Sequence, residues 1–263
     1  MAKIGLTNFR YGILTEGPDG TPTYAGAKKP GKAISCNVEL SNNDAKLYAE
    51  DALAESDTSF QSGTITMGID EDDSKTMAEL LGHTISEDGQ IIRNVNDAAP
   101  YVGLGRVITK MFEGKYKYKV EFLYKVKFQE PSQENTTKGE SIEFATTEIE
   151  GMVSALKNGN WSDTKTFDDK VLAIAWLEGC LGRRYEIQYD LNGGSGDVPQ
   201  GVEGLAGRVF ELFDGNGLVG PEGRTRFLGW ALSAAGQIID QYIPMGSTIL
   251  YAIWGEPEPE NRN

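Results

Sequence analysis

Between residues 115 and 128 hydrophobic and polar side chains alternate more regularly than anywhere else in the chain. Tyr116, Tyr118, Val120, Phe122, Tyr124, Val126 and Phe128 fall on one face of an extended segment; Lys115, Lys117, Lys119, Glu121, Lys125 and Lys127 fall on the other, with Leu123. A period of two predicts a strand with one buried and one wet face. A polar stretch, 129–138, follows, and 140–152 predicts the returning strand of a long antiparallel hairpin. Residues 60–69 alternate as well, with Ile65, Met67 and Ile69 opposite Thr64, Thr66 and Gly68. Residues 32–38 and the apolar run 101–108, interrupted by Gly103 and Gly105, are further strand candidates.

Helical spacing is rarer. Residues 70–81 predict a short helix: Asp70-Glu71-Asp72-Asp73 sit where the dipole favours carboxylates, Met77, Leu80 and Leu81 form an apolar stripe, and Gly82 closes it. Residues 167–181 predict a second, capped by Thr166 or Asp168, with Val171, Ile174, Ala175 and Trp176 toward the core. Residues 45–55 contain good helix formers but are too few to fix the period, so helix and strand both stay open. No lysine occurs after Lys170, and glycine-containing turns become dense beyond Leu191. That shift places a boundary near Gly182-Arg183-Arg184, dividing the chain into domains at 1–182 and 184–254. The acidic, proline-rich 255–263 predicts a disordered tail.

The chain has 263 residues, 39 acidic and 25 basic side chains, and a formal charge of −14. This balance argues against gripping nucleic acid through its phosphates and against an anionic membrane surface. Thirty-two glycines against ten prolines suit many turns between short strands and exclude a helical bundle; the fold class is mainly β, with one or two short helices. No run approaches the roughly 18 apolar residues of a membrane span. Residues 1–10 lack the charged and then apolar pattern of a signal peptide. Cys36 and Cys180 show no metal spacing and are expected as reduced, packed thiols.

Candidate chemistry is sparse. The single histidine, His83, excludes a multi-histidine metal site within one chain, and its place after Gly82 suits the negative end of a helix. Gly215-Asn216-Gly217-Leu218-Val219-Gly220 has the dinucleotide-binding spacing, but Pro221-Glu222-Gly223 follows and no helical period supplies the N-terminus a pyrophosphate needs. The acidic 70–73 run lacks the ligand spacing of a calcium loop. The glycosylation sequons at 135–137 and 160–162 mark polar loops only. No nucleophile–base pair emerges, so neither an enzyme nor a bound cofactor or metal is expected. Lys115, Lys117, Lys119, Lys125 and Lys127 form the one basic stripe. It reads either as a solvated face that discourages edge pairing or as an electrostatic contact to an acidic neighbouring subunit or a polyanion; in so acidic a chain the expected place is against acidic groups of the same or a neighbouring subunit, or on the outside of an assembly. Glu140, Glu143, Glu148 and Glu150 stand ready to neutralise part of it.

Taken in order, several segments resemble the major tail tube proteins of long-tailed bacteriophages of Gram-positive hosts: the opening Met1-Ala2-Lys3-Ile4-Gly5-Leu6-Thr7-Asn8-Phe9, Ala33-Ile34-Ser35, Leu47-Tyr48-Ala49-Glu50-Asp51 and residues 62–69. Glu79-Leu80-Leu81-Gly82, Tyr124-Lys125-Val126-Lys127-Phe128-Gln129-Glu130-Pro131 and residues 142–151 continue the likeness. Beyond the boundary, Tyr189-Asp190-Leu191-Asn192-Gly193-Gly194-Ser195-Gly196, Arg226-Phe227-Leu228-Gly229-Trp230 and Ile249-Leu250-Tyr251-Ala252-Ile253-Trp254 resemble an internalin-B-type repeat of the Listeria–Bacteroides kind.

The first resemblance implies an antiparallel β-sandwich or barrel. It also implies hexameric rings stacking into a virion tail tube, assembled in the host cytoplasm, whose lumen conducts DNA during ejection without binding it specifically. Tape-measure and tail terminator proteins would be its partners, and no membrane is involved. An acidic lumen would let phosphate slide. The second implies a small β-rich module decorating the tube exterior, with Tyr189, Phe227, Trp230, Tyr251 and Trp254 as core and Asn192, Gly193 and Gly194 as the turn; its Gly-rich middle, 201–223, departs from the pattern. The competing expectation is a two-module adhesin for a surface carbohydrate or receptor.

Overall fold

Extended backbone dominates the computed structural model, which describes residues 2–49, 52–70, 73–131 and 147–257. The chain divides into two units, Met1–Leu177 and Glu178–Asn263, so the division falls inside a helix and a few residues before the Gly182 position expected from composition.

The first unit contains β1 (Ala2–Glu16), β2 (Pro22–Lys28), β3 (Ala33–Asn42), β4 (Ala45–Ala49), β5 (Ala52–Asp57) and β6 (Phe60–Ile69). Then come α1 (Ser74–Leu81), β7 (Thr84–Ile85), β8 (Ile91–Ile92), β9 (Val102–Phe112), β10 (Lys115–Phe128), β11 (Thr147–Ser154), β12 (Ser162–Phe167) and α2 (Lys170–Cys180). The main sheet runs β2-β1-β9-β10-β11-β6-β3, with β12 also pairing β10, and its antiparallel strands form a sandwich-like arrangement. In the 45–55 stretch, open between helix and strand in the sequence, Ala45–Ala49 pairs with Ala52–Asp57 as the separate β4–β5 pair, and residues 50 and 51 lie outside the described residues.

Strand β10 departs most from its sequence pattern. Its first part, Tyr118 to Leu123, pairs with β12, whereas Lys125 to Phe128 pair with β11. The expected long hairpin with the 140–152 segment is therefore confined to four residue pairs, and β11 makes most of its ladder with β6; residues 140–146 lie outside the described residues. Against β9, Leu123 faces Leu104 but Val126 faces Val102. One extra residue sits in β10, and such a bulge inverts the alternation beyond it. Leu123, Val126 and Phe128 therefore share one core with Phe9, Leu104 and Ile149, while Phe122 points to the opposite face against Tyr24. The expectation of one apolar side from Tyr116 to Phe128 is corrected accordingly, and Tyr116 itself is 55% exposed.

Met77, Leu80 and Leu81 of α1 join that core. Asp73 is its N-cap, accepting from the Thr76 backbone N–H at 3.2 Å, and Gly82 ends it in the left-handed region. Asp70 does not serve this helix: it accepts from the Lys32 backbone N–H at 2.8 Å and pairs with its ammonium at 3.1 Å. Glu71 and Asp72 lie outside the described residues. In α2 the cap is Asp169, one residue after the expected Asp168, with its carboxylate 2.8 Å from the Leu172 backbone N–H. Ala173, Ala175, Trp176 and Leu177 are buried and Ile174 is half-buried, whereas Val171, expected on the inward side, is exposed in the first turn.

Gly103 and Gly105 do not interrupt β9; they leave room for neighbours. A Cβ on Gly105 would stand 2.0 Å from the Leu177 side chain and 3.1 Å from Phe122. Leu177 is fully buried, so it has no solvent to withdraw into and must repack against its neighbours.

The second unit has β13 (Arg184–Asp190), β14 (Val202–Leu205), β15 (Arg226–Ala231), β16 (Ile238–Ile239) and β17 (Thr248–Gly255), ordered β14-β13-β17-β15-β16. Strands β13 and β17 pair in parallel, which requires a long connection; residues 191–247 supply it. The Gly-rich middle resolves into β14 and isolated bridges, Ser195 to Val219 and Phe210 to Tyr242. Of the expected tail, Gly255 still belongs to β17, and residues 258–263 lie outside the described residues.

Gly105→Ala is expected to destabilise the first unit by about 1–3 kcal/mol, the usual cost of overpacking a filled core. A urea titration followed by tryptophan fluorescence measures it, and an unchanged midpoint would show that Leu177 can move aside.

Candidate functional site

The bulge separates the lysines predicted to share one face. Lys117 and Lys119 lie on the side of Glu121 and Leu123, together with the exposed Lys115, while Lys125 and Lys127 lie on the opposite side, over the Tyr101 ring at 4.7 Å and 5.4 Å. Three of them meet carboxylates of the same chain: Lys117 meets Asp168, Lys119 meets Glu121, and Lys125 meets Glu16 at 2.8 Å. The acids anticipated from the return strand are not these. Glu148 and Glu150 are exposed on β11, and Glu140 and Glu143 lie outside the described residues.

Glu16 is the better enclosed of these partners, with a side chain 10% exposed. Its carboxyl is held below the usual range by the Lys125 ammonium and then by the Lys157 backbone N–H. At Glu121 burial pushes the carboxyl up, but hydrogen bonds from Lys119 and Arg106 outweigh it and the net shift is downward. Arg106 donates to Glu121 Oε2 through Nε at 3.0 Å and Nη2 at 2.6 Å, and it also reaches the Cys36 carbonyl at 3.4 Å and the Cys36 thiol. Burial raises the Cys36 thiol, opposed by the guanidinium. Cys36 and Cys180 are not joined in a disulfide.

This network forms the charged end of a cavity of about 310 Å³ in the first unit. Phe9, Val38, Leu40, Leu104, Leu123 and Trp161 provide its apolar walls, and Arg106, Lys119 and Glu121 its polar end. Two cations against one anion leave that end with one formal positive charge. Leu40, on β3, is 48% exposed at the cavity. An apolar recess with a few convergent polar groups is the usual form of a binding site. Sequence reasoning missed it because Arg106, Leu40 and Trp161 come from segments far apart in the chain; the one available signal was Glu121, the sole acid in a row of lysines.

His83 is a structural tie. Its Nδ1 lies 2.8 Å from Asp97 Oδ2 and its Nε2 3.1 Å from Glu130 Oε1, and Arg93 also donates to that Glu130 oxygen at 3.0 Å. The Asn94 backbone N–H and then the His83 ring hold the Asp97 carboxyl low. The ring so joins the end of α1 to the approaches of β9 and the exit of β10. The 215–220 glycine run is a turn, with Gly215 and Gly217 at φ of 76° and 82° and no helix following it. Among the described residues no group of three or more histidine, cysteine or acidic side chains is arranged to hold a metal ion.

In the second unit, Tyr189, Phe227, Trp230 and Trp254 meet in one aromatic cluster: Tyr189 and Trp230 centroids are 4.5 Å apart, and Phe227 lies 5.3 Å from Trp230 and 5.5 Å from Trp254. Tyr251 does not join it. Along β17 the inward positions are Leu250, Ala252 and Trp254, and alternation turns Tyr251 to the other face, half-buried. The indole N–H groups find carbonyls, Trp230 on Phe213 at 2.5 Å and Trp254 on Leu191 at 2.8 Å. Asn192 and Gly193 form the turn at φ of 49° and 88°, and the Asn192 amide donates to the Ala252 carbonyl at 2.9 Å. Gly194 is required by close approach, since a Cβ there would stand 2.4 Å from the Trp254 ring.

A comparison of the chain with protein-family models gave no match, and neither did a comparison with curated proteins.

Glu121→Gln is expected to cost roughly 1.5–3 kcal/mol at pH 7, the range for a hydrogen bond to a charged group. Because the folded carboxyl is depressed, its contribution is fully present above the ordinary carboxylate range and disappears as pH falls through the depressed value. Urea midpoints of the two proteins should therefore converge below about pH 4. A gap that stays constant into acid would remove the ion-pair account of Glu121.

Proposed function

We propose that the chain is a structural protein that assembles with copies of itself, a major tail tube protein of a long-tailed phage. In this reading the first unit forms hexameric rings that stack around a DNA conduit, and the second decorates the exterior. The observation that carries it is the architecture of the first unit: a mainly antiparallel sandwich whose sheet ends in β3, ten residues long. Long edge strands are normally guarded by lysine, proline or bulges against pairing with another chain. Between Ala33 and Asn42 β3 has no lysine and no proline, one charged residue, Glu39, and half-exposed Ile34 and Leu40; its register irregularities lie at its two ends, between Ala33 and Ser35 and between Ser41 and Asn42. Such an edge suits a protein whose business is to meet its neighbours. The order of tail-tube-like segments along the sequence supports the same reading.

The charge distribution is compatible with a conduit. With a formal charge of −14, and three lysines of β10 engaged by the chain's own carboxylates, the protein offers little that would hold DNA in transit; five free lysines per copy around a ring would grip it with a steep salt dependence. In the proposed setting the tube is assembled in the host cytoplasm and carried in the virion, with tape-measure and tail terminator proteins as its partners.

Negative-stain microscopy of concentrated full-length protein tests the proposal. Rings or tubes of uniform diameter are expected. A protein that stays monomeric at every concentration and ionic strength would overturn it.

A further inference from the structure

Strand register builds the cavity of the first unit in two rows. Leu104 on β9 faces Leu123 on β10, which in turn faces Ser162 on β12; two residues along, Arg106 faces Glu121, which faces Thr164. A step of two keeps both rows on one side of the sheet, so an apolar row and a charged row adjoin. Strand β3 supplies the facing wall. The Arg106 guanidinium reaches the Cys36 carbonyl at 3.4 Å, and Val38 and Leu40 follow Cys36 at the same spacing into the cavity. Glu39, between them, alternates to the other face, where it accepts from the Asn37 amide at 2.8 Å. Among the described residues Glu121 is therefore the one acid in the lining.

The charged row has donors to spare and its carboxylate is taken. Glu121 Oε1 accepts from Lys119, and Oε2 accepts twice from Arg106, through Nε and Nη2. An ammonium has three N–H groups and a guanidinium five. Two on Lys119 and one on Arg106 Nη2 so have no partner among the described residues. Surplus donors with one net positive charge call for a group that only accepts and carries one negative charge, and a carboxylate does both. A phosphate monoester brings up to two charges against one, and an ammonium ligand would meet cations. Away from this row the lining is Phe9, Val38, Leu104 and Leu123, which offer a ligand no polar side chain. The volume of about 310 Å³ lies at the small end of ligand pockets.

We infer that this cavity binds a small amphiphilic monocarboxylate, an aliphatic or aryl acid, with its carboxylate on Lys119 and Arg106 and its apolar body against Phe9, Val38, Leu104 and Leu123. Leu40, 48% exposed, stands at the mouth. The site is built within one copy of the first unit, so the inference stands apart from the assembly reading and does not need it.

Isothermal titration calorimetry of the full-length protein with octanoate tests it. Saturable 1:1 binding is expected. Octanol and octylamine keep the tail but remove or reverse the charge, and each should bind at least about tenfold more weakly, the worth of one charge-assisted hydrogen bond. Leu40→Glu, which sets a carboxylate at the mouth from an exposed position, should weaken octanoate at least about tenfold, whereas Leu40→Met should hold its affinity within about threefold. Lys119→Met should bring octanoate and octanol to similar affinities. Octanoate that shows no saturation by about 10 mM overturns the inference. Equal binding of the three ligands overturns the carboxylate assignment, and Leu40→Glu binding octanoate as the wild type does overturns the location. The ligand series and the Leu40 pair decide the matter even if Lys119→Met does not fold.

Discussion

Between Leu123 and Val126 strand β10 carries one residue more than the β9 stretch it faces, and much of the first unit depends on that residue. Without it a strand of this pattern would present one apolar and one charged face throughout its length. With it, Leu123 enters the same core as Val126 and Phe128, while Val120 and Phe122 bury their side chains on the opposite side. The strand can then pair β12 along its first part and β11 along its last. That change of partner lets a single strand belong to both parts of the sandwich-like arrangement, and burial on two faces, at about 1.5–3 kcal/mol for each large apolar side chain, fixes its register.

The same residue determines where the charges go. Lys117 and Lys119 fall beside Asp168 and Glu121, and Lys125 beside Glu16 and the Tyr101 ring. Half-buried ammonium groups need such partners, because an unpaired charge loses hydration without compensation. Arg106 then completes the Glu121 network and places a slightly positive end in an apolar cavity.

Much of the architecture was legible in the sequence. Residues 60–69 alternate and form β6 with Ile65, Met67 and Ile69 fully buried; α1 stops where Gly82 predicts, and Trp230 and Trp254 anchor the second unit. What escaped has identifiable causes. A bulge adds a residue without changing composition, so the period-two pattern of 115–128 looks continuous and misassigns Lys125 and Lys127. In α2 the buried side is Ala173, Ala175, Trp176 and Leu177, and Val171, placed on it by its apolar character, stands exposed in the first turn. Tyr251 was grouped with Trp254 by kind, whereas alternation along β17 gives its inward place to Leu250. The cavity joins β1, β3, β9 and β10 across sequence distances that no local pattern reports.

The central claim, that β10 is bulged and its lysines are held by the chain's own carboxylates, is most directly tested by time-resolved amine acetylation of the dilute protein, read by mass spectrometry. Lys117, Lys119 and Lys125 have side chains 29%, 25% and 17% exposed and are ion-paired, so they should react slowly. Lys115, exposed at the strand's start, should react fast, and Glu16→Gln should speed Lys125 while leaving Lys117 unchanged. Uniformly fast labelling of Lys115, Lys117, Lys119, Lys125 and Lys127, as expected of one continuous wet face, would contradict the account.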